Sequence, residues 1–80
     1  MKARVFITLK KSVLDPQGKT IQSALKTLGF ERVEGVRIGK MIELSLTGVD
    51  DRSQAERDLK EMCDKLLANT VIEEYRWEIL

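Results

Sequence analysis

The stretch that decides the fold is VRIGKMIELSL, residues 36–46. Three of its four polar residues, Arg37, Glu43 and Ser45, have odd numbers, whereas most of its apolar residues have even ones. Successive side chains of a strand point to opposite faces of a sheet, so the alternation indicates a strand with one buried face. We expect the strand region to run over residues 33–48, with a buried face made of Val36, Ile38, Ile42, Leu44 and Leu46.

A turn at Gly39-Lys40 would have to preserve that alternation. A two-residue hairpin loop would place Arg37 opposite Ile42 on one face, because a shift of one residue turns every side chain over. Two arrangements remain. In the first, residues 39–41 form a three-residue hairpin loop with a glycine-assisted bulge. In the second, residues 33–47 form one strand about 50 Å long, which requires a second chain to cover it.

Two further strands are predicted near the ends of the sequence. The segment ARVFITLKK, residues 3–11, alternates between apolar and polar side chains, as does TVIEEYRWEIL, residues 70–80. Both patterns are typical of half-buried strands. Their predicted core sides consist of Val5, Ile7 and Leu9 in the first and of Val71, Glu73, Tyr75, Trp77 and Ile79 in the second.

The stretch VLDPQGKTI, residues 13–21, leads from the first strand into a helix. Asp15 is a favoured N-cap residue and Pro16 suits the first helical position. Gly29 suits the C-terminal cap, because glycine tolerates a left-handed backbone. An apolar stripe at helical spacing lies between the two caps and consists of Ile21, Ala24, Leu25 and Leu28.

A second helix is predicted after GVDDRSQAE, residues 48–56. Ser53 and Glu56 have the spacing of a capping box, and Asp50 or Asp51 is an alternative N-cap. The predicted apolar stripe of this helix consists of Ala55, Leu59, Met62, Cys63, Leu66 and Leu67.

These elements predict one α+β domain over residues 1–80, with both helices packed on one face of an antiparallel sheet. The hairpin arrangement gives a ferredoxin-like βαββαβ sandwich. The long-strand arrangement gives two βαβ-like halves that are completed by dimerisation, with the long central strand shared across the dimer. A chain this small has little stability to spare, so association with a second copy suits either arrangement.

Charge is divided unevenly along the chain. Residues 1–40 hold nine Lys/Arg and three acids, for a net charge of +6, whereas residues 41–80 hold five Lys/Arg and ten acids, for −5. This asymmetry indicates a dipolar surface that docks on another molecule. No apolar run is long enough for a membrane span and no signal peptide is recognisable. Together with a single cysteine, these features predict a cytoplasmic protein.

No catalytic or metal-binding constellation is recognisable. The chain has no histidine, the commonest general base and metal ligand. Cys63 lies on the apolar stripe of the second helix, where a buried, unreactive thiol is expected. The stretch DPQGK lacks the glycines of a phosphate-binding or dinucleotide-binding loop. We therefore expect no catalytic residue, no cofactor-binding residue and no metal ligand in this chain.

Two surface features stand out. The stretch VRIGK, residues 36–40, brings Arg37 and Lys40 close to Gly39, and an exposed pair of cations suits an acidic partner or a phosphate. Phe6 and Met41 are apolar residues on otherwise polar strand sides, which suits an interface. Recognition of RNA on the sheet requires several stacked aromatic residues, and only Phe6 is offered, so we expect no nucleic acid as a partner.

Three ordered segments of the chain resemble the PurS family, the small subunit of phosphoribosylformylglycinamidine (FGAM) synthase in purine biosynthesis. They are LKKSVLDPQGKTIQSALKTLGF, VEGVRIGKMIELSL and LLANTVIEEYRWEI, and together they cover most of the sequence. The resemblance implies a PurS-like, ferredoxin-related fold and a homodimer or higher homo-oligomer.

The resemblance also implies a role in a ligase complex that uses glutamine as its amide donor. A PurQ-type glutaminase subunit releases ammonia, and a PurL-type synthetase subunit uses ATP and Mg to activate formylglycinamide ribonucleotide. A PurS-like subunit bridges the two enzymes, assists ammonia transfer and has no active site or cofactor of its own. We expect the subunit contacts to include Asp15, Pro16, Arg37, Gly39 and Lys40. The alternative is a regulatory βαββαβ domain of the ACT-like type that senses a small molecule.

Overall fold

Strand β1, Lys2–Leu9, forms the centre of a three-stranded antiparallel sheet in the order β2-β1-β3. Strand β2, Gly39–Ser45, pairs with one side of β1, and strand β3, Glu73–Ile79, pairs with the other. The structure is a computed structural model that describes residues 1–80. Because β1 is hydrogen-bonded on both sides, it holds the sheet together.

Strand β2 runs straight through the position proposed for a hairpin loop. Gly39 pairs with Thr8 and Met41 pairs with Phe6, in one unbroken ladder. The predicted three-residue hairpin loop at residues 39–41 is therefore wrong. Residues 33–38 form no helix, turn or paired strand, and they make no backbone-to-backbone hydrogen bond within the chain. The paired part of the predicted long strand thus begins at Gly39.

The sheet has two unlike faces. The face that packs on the second helix, called the helix face, consists of Ala3, Val5, Ile7, Ile42, Leu44, Tyr75, Trp77 and Ile79. The opposite face, called the open face, consists of Arg4, Phe6, Thr8, Met41, Glu43, Glu74, Arg76 and Glu78. The predicted alternation is confirmed within the three paired strands, but Ile38 and Val71, which were predicted for the core side, lie outside the strands and are exposed.

Helix α2, Arg52–Met62, packs on the helix face through its buried Ala55 and Leu59. Its N-cap is Asp51, which accepts a hydrogen bond from the Ser53 N–H. Asp51 was the predicted alternative to a capping box formed by Ser53 and Glu56, and this alternative is correct. The helix continues into a π-helical turn, Cys63–Leu67, in which the Ala68 N–H donates to the Cys63 carbonyl.

The π-helical turn changes which side chains face the core. The wider turn rotates Leu66 outward, where it is 82% exposed, and Ala68 is buried instead. The prediction that Leu66 belongs to the apolar stripe of this helix is therefore wrong. Cys63, one residue before the register changes, is buried as predicted.

Helix α1, Pro16–Thr27, has the predicted ends. Asp15 is its N-cap, Pro16 is its first residue, and Gly29 follows it with a φ of 98°. The position of α1 differs from the prediction, because no residue of α1 belongs to the core or packs against it. Only α2 covers the sheet, and the apolar stripe of α1 faces outward.

Three contacts tie α1 to residues 33–38 instead. The Asp15 carboxylate accepts hydrogen bonds from the Gly18 N–H and the Ile38 N–H, each 2.9 Å long. The Gln22 side-chain amide donates to the carbonyls of residues 33 and 34. A Cβ atom on Gly18 would lie 2.2 Å from the Val36 carbonyl oxygen. The helix therefore packs beside an extended segment and not on the sheet.

The resulting chain is long and thin, measuring 50 × 25 × 14 Å. Its radius of gyration is 16.1 Å, whereas a compact domain of this length has about 12 Å. Only 8 of the 80 residues are buried. The α+β class with two helices and an antiparallel sheet is confirmed. Within a single chain, however, the apolar stripe of α1 packs against no other apolar surface.

Truncation of two leucines tests the π-helical turn. Leu59→Ala is expected to lower the free energy of unfolding by about 2–5 kcal/mol, because it removes a fully buried side chain. Leu66→Ala is expected to change it by less than about 0.5 kcal/mol, because Leu66 is exposed. Urea denaturation measures both values. Similar losses for the two variants would contradict the outward position of Leu66.

Alanine at two glycines tests the close approach of α1 to residues 33–38. Gly18→Ala would stabilise an ordinary helix by about 0.5–1 kcal/mol, but here it is expected to destabilise the chain by about 1–3 kcal/mol. The added Cβ would collide with the Val36 carbonyl.

The matched control is Gly35→Ala, whose Cβ meets nothing within 4 Å. It should leave the unfolding midpoint unchanged or raise it slightly. Thermal unfolding followed by circular dichroism compares the two variants. A Gly18→Ala chain as stable as the original would show that α1 does not pack against Val36.

Candidate functional site

A hollow of about 400 Å³ lies where the first turn of α1 meets the end of the sheet. We call it the junction hollow. Four of the five residues predicted to make subunit contacts line it, namely Asp15, Pro16, Gly39 and Lys40. They meet because α1 begins beside the first residue of β2, so residues far apart in sequence share one concave surface.

Asp15 occupies the helix N-terminus within this hollow. Its two oxygens accept from the Gly18 and Ile38 amides, and these hydrogen bonds hold the pKa of the carboxyl below its ordinary value. The carboxylate is therefore charged at neutral pH and satisfies amides that an external anion would need. The prediction that Asp15 caps this helix is confirmed.

Arg37 and Lys40 do not form the exposed pair that their spacing suggested. Arg37 Nη1 donates to Glu74 Oε1 at 3.2 Å, and Glu74 belongs to the open face. Lys40 pairs with Ile7 in the ladder and so belongs to the other side of the sheet. The side chain of Lys40 takes part in no ion pair.

A further hydrogen-bonded cluster, which the sequence did not predict, joins the π-helical turn to β3. The Tyr75 hydroxyl donates to Asp64 Oδ1 at 2.6 Å, and Lys60 Nζ donates to Asp64 Oδ2 at 2.9 Å. The bond from Tyr75 lowers the pKa of Asp64, and the same bond raises the pKa of Tyr75. Both pKa values move away from neutrality, which is the wrong direction for acid–base catalysis and indicates a structural tie.

The remaining reactive groups are the single cysteine, which is buried, and acidic side chains that form no metal-binding group. Burial raises the pKa of the Cys63 thiol, so the nucleophilic thiolate is disfavoured. No group of three acidic or cysteine side chains is placed to hold a metal ion. No helix has both the length and the apolar content of a membrane span.

Sequence reasoning missed the exposure of the apolar side of α1. Leu28 is 71% exposed and Phe30 is 57% exposed, and Ile21 and Ile38 are also exposed. Helical spacing correctly predicted which side of α1 is apolar, but it carries no information about what covers that side. In this chain nothing covers it.

Comparison with known proteins identifies the family. A family model described as "PurS: Phosphoribosylformylglycinamidine (FGAM) synthase" matches residues 2–80. The chain is 50% identical to the phosphoribosylformylglycinamidine synthase subunit PurS of Bacillus subtilis, over 98% of the chain and 90% of that protein. It is 54% identical to the subunit of the same name from Synechocystis, over 95% of the chain and 75% of that protein.

Solved structures agree with the sequence relatives. PurS of Methanocaldococcus jannaschii matches with a TM-score of 0.84 and 45% identity, over 96% of this chain and 92% of that one. A chain in the structure of PurLQS from Thermotoga maritima matches with a TM-score of 0.87 and 32% identity, over 99% of this chain and 95% of that one. This chain therefore belongs to the PurS family.

Proposed function

We propose that this chain is a non-catalytic subunit of FGAM synthase, which acts as a homodimer and bridges the glutaminase and synthetase subunits. The observation that carries the proposal is a large exposed apolar surface on a chain without a catalytic constellation. The relatives are named as subunits of FGAM synthase, and a related chain occurs in the PurLQS structure. These names do not favour the alternative of a small-molecule-sensing regulatory domain.

The exposed area supports association with another chain. The chain exposes 6013 Å², whereas a compact monomer of its mass exposes about 4,900 Å². The excess of about 1,100 Å² is close to the roughly 800 Å² that each partner buries in a standard interface. A second chain packed against the excess surface would restore the burial that one chain lacks.

The chemistry of α1 favours a second copy as the chain that covers it. Helix α1 contains two lysines and no acidic residue, whereas residues 41–80 have a net charge of −5. Residues 33–38 beside it make no backbone-to-backbone hydrogen bond in the chain, so most of their backbone groups remain open, as on a strand edge. In the proposed homodimer these residues pair with the second copy, and the apolar side of α1 packs against it.

The bridging role has a physical basis in the chemistry of ammonia transfer. Ammonia released into water is diluted and protonated before it reaches a second active site. A subunit that fixes the two active sites relative to each other raises the effective concentration of ammonia and keeps solvent away. In this proposal ATP and Mg bind to the synthetase subunit and not to this chain, and the complex works in the cytoplasm.

A charge placed on the apolar side of α1 tests the homodimer. We expect the original chain to sediment with at least twice the mass of one chain. Leu28→Asp should reduce that mass to a single chain, because it introduces a carboxylate into the proposed interface. The matched control is Leu66→Asp, which lies on the exposed π-helical turn and should leave the mass unchanged. A Leu28→Asp chain that still forms the oligomer would exclude α1 from the interface.

Reconstitution tests the bridging function. The synthetase and glutaminase subunits should bind this chain in a pull-down experiment, and their glutamine-dependent turnover should require it. Replacement of both Arg37 and Lys40 by alanine should weaken assembly while the circular dichroism spectrum stays unchanged, because both side chains are exposed. Replacement of Arg37 alone and of Lys40 alone then shows which side of the sheet contributes to assembly.

Ammonia supplied directly is the control, because it should support turnover without this chain. Glutamine-dependent activity that is equal with and without the chain would refute the bridging function. Normal assembly of the double variant would remove Arg37 and Lys40 from the subunit contacts and leave the bridging function in place.

A further inference from the structure

We infer that the open face of the sheet docks a short protein segment that carries an apolar side chain next to a carboxylate. The inference rests on the proposed function, since the segment would belong to another subunit of the complex. It adds a surface that is separate from α1 and that adjoins the junction hollow at Thr8, Gly39 and Lys40.

An aromatic and a sulfur-containing side chain form the centre of the open face. Phe6, Met41 and Arg76 occupy one row across the three strands, in the order Met41, Phe6, Arg76. Met41 is 52% exposed, and no helix covers this row. A hollow of about 490 Å³ lies beside the row, and Thr8, Gly39 and Glu74 are among the residues that line it. An apolar side chain from a partner fits this floor.

Arg76 makes the centre specific for a carboxylate. Its guanidinium carbon lies 4.1 Å from the centre of the Phe6 ring, so the ring supports one side of the planar group. Its hydrogen bond within the chain goes to Glu78 at 3.3 Å, which uses one of five N–H donors. The others are positioned to bind a carboxylate in the two-pronged geometry that arginine favours. Arginine, aromatic residues and methionine are also enriched in interface cores.

The other charges on this face exclude a polyanion. Glu43, Glu74 and Glu78 form a border of carboxylates around the centre, and each accepts from an arginine. A nucleic acid would place phosphates against these carboxylates and would find one aromatic ring to stack on. A single carboxylate beside an apolar group avoids both problems.

The dimensions favour a segment over a whole protein surface. The three strands contain seven or eight residues each, so the face measures about 25 by 14 Å, or roughly 350 Å². A standard interface needs about 800 Å² from each partner. The open face alone therefore suits a loop or an extended segment of the partner.

The test measures binding of the purified synthetase and glutaminase subunits to the full chain and its variants. Two variants remove the docking groups, Phe6→Thr combined with Met41→Thr and, separately, Arg76→Gln. Threonine retains the preference for a strand, so the sheet should remain folded. The matched controls are Leu66→Thr and Arg57→Gln, which change an exposed leucine and an exposed arginine on the opposite side of the chain.

We expect each open-face variant to raise the Kd for one of the two subunits by about tenfold or more, and each control to change it by less than about twofold. Sedimentation should show an unchanged oligomer for every variant. Open-face variants that bind both subunits as the original chain does would overturn this inference alone. A changed oligomeric state would assign the face to contacts between copies and would also overturn it. An original chain that binds neither subunit would refute the proposed function, and the docking site with it.

Discussion

The carboxylate of Asp15 fixes the position of α1, and the rest of the molecular surface depends on that position. One oxygen caps the helix and the other accepts from Ile38, at the start of the sheet. Gly18 completes the tie, because its missing side chain allows the helix to approach the Val36 carbonyl. The helix is thus committed to residues 33–38 and not to the sheet. Its apolar side is left for another molecule, and this is why the chain is long, thin and sparsely buried.

The two helices consequently have different surfaces. The outer side of α2 and its π-helical turn carries ion pairs one turn apart, such as Arg52 with Glu56 and Lys60 with Asp64. Such pairs satisfy each other in water and need no partner. Helix α1 has no acidic residue to pair with its lysines. The side of the chain that carries α1 is therefore suited to association, and the outer side of α2 is suited to solvent.

Local features of this fold could be predicted from sequence, and the arrangement of the elements could not. Asp15, Pro16 and Gly29 mark the ends of α1 because caps depend on neighbouring residues only. The odd and even positions of β2 also placed its side chains correctly, and they imply that Arg37 and Lys40 lie on opposite sides once the strand is straight. Nothing local shows what a helix packs against. The spacing of Leu66 in the sequence matches the apolar stripe of an ordinary α-helix. Only the backbone shows that the π-helical turn contains an added residue, which rotates the Leu66 side chain outward.

The central position of β1 has a consequence for biosynthesis. Its pairs with β3 join residues separated by 64 positions, Leu9 with Glu73, up to 76 positions, Ala3 with Ile79. A nascent chain therefore cannot complete the sheet until β3 has left the ribosome, which at about 5–20 residues per second takes several seconds. During that interval Val5 and Ile7 lack their final neighbours, so chaperones have access to the strand that later becomes the most protected one.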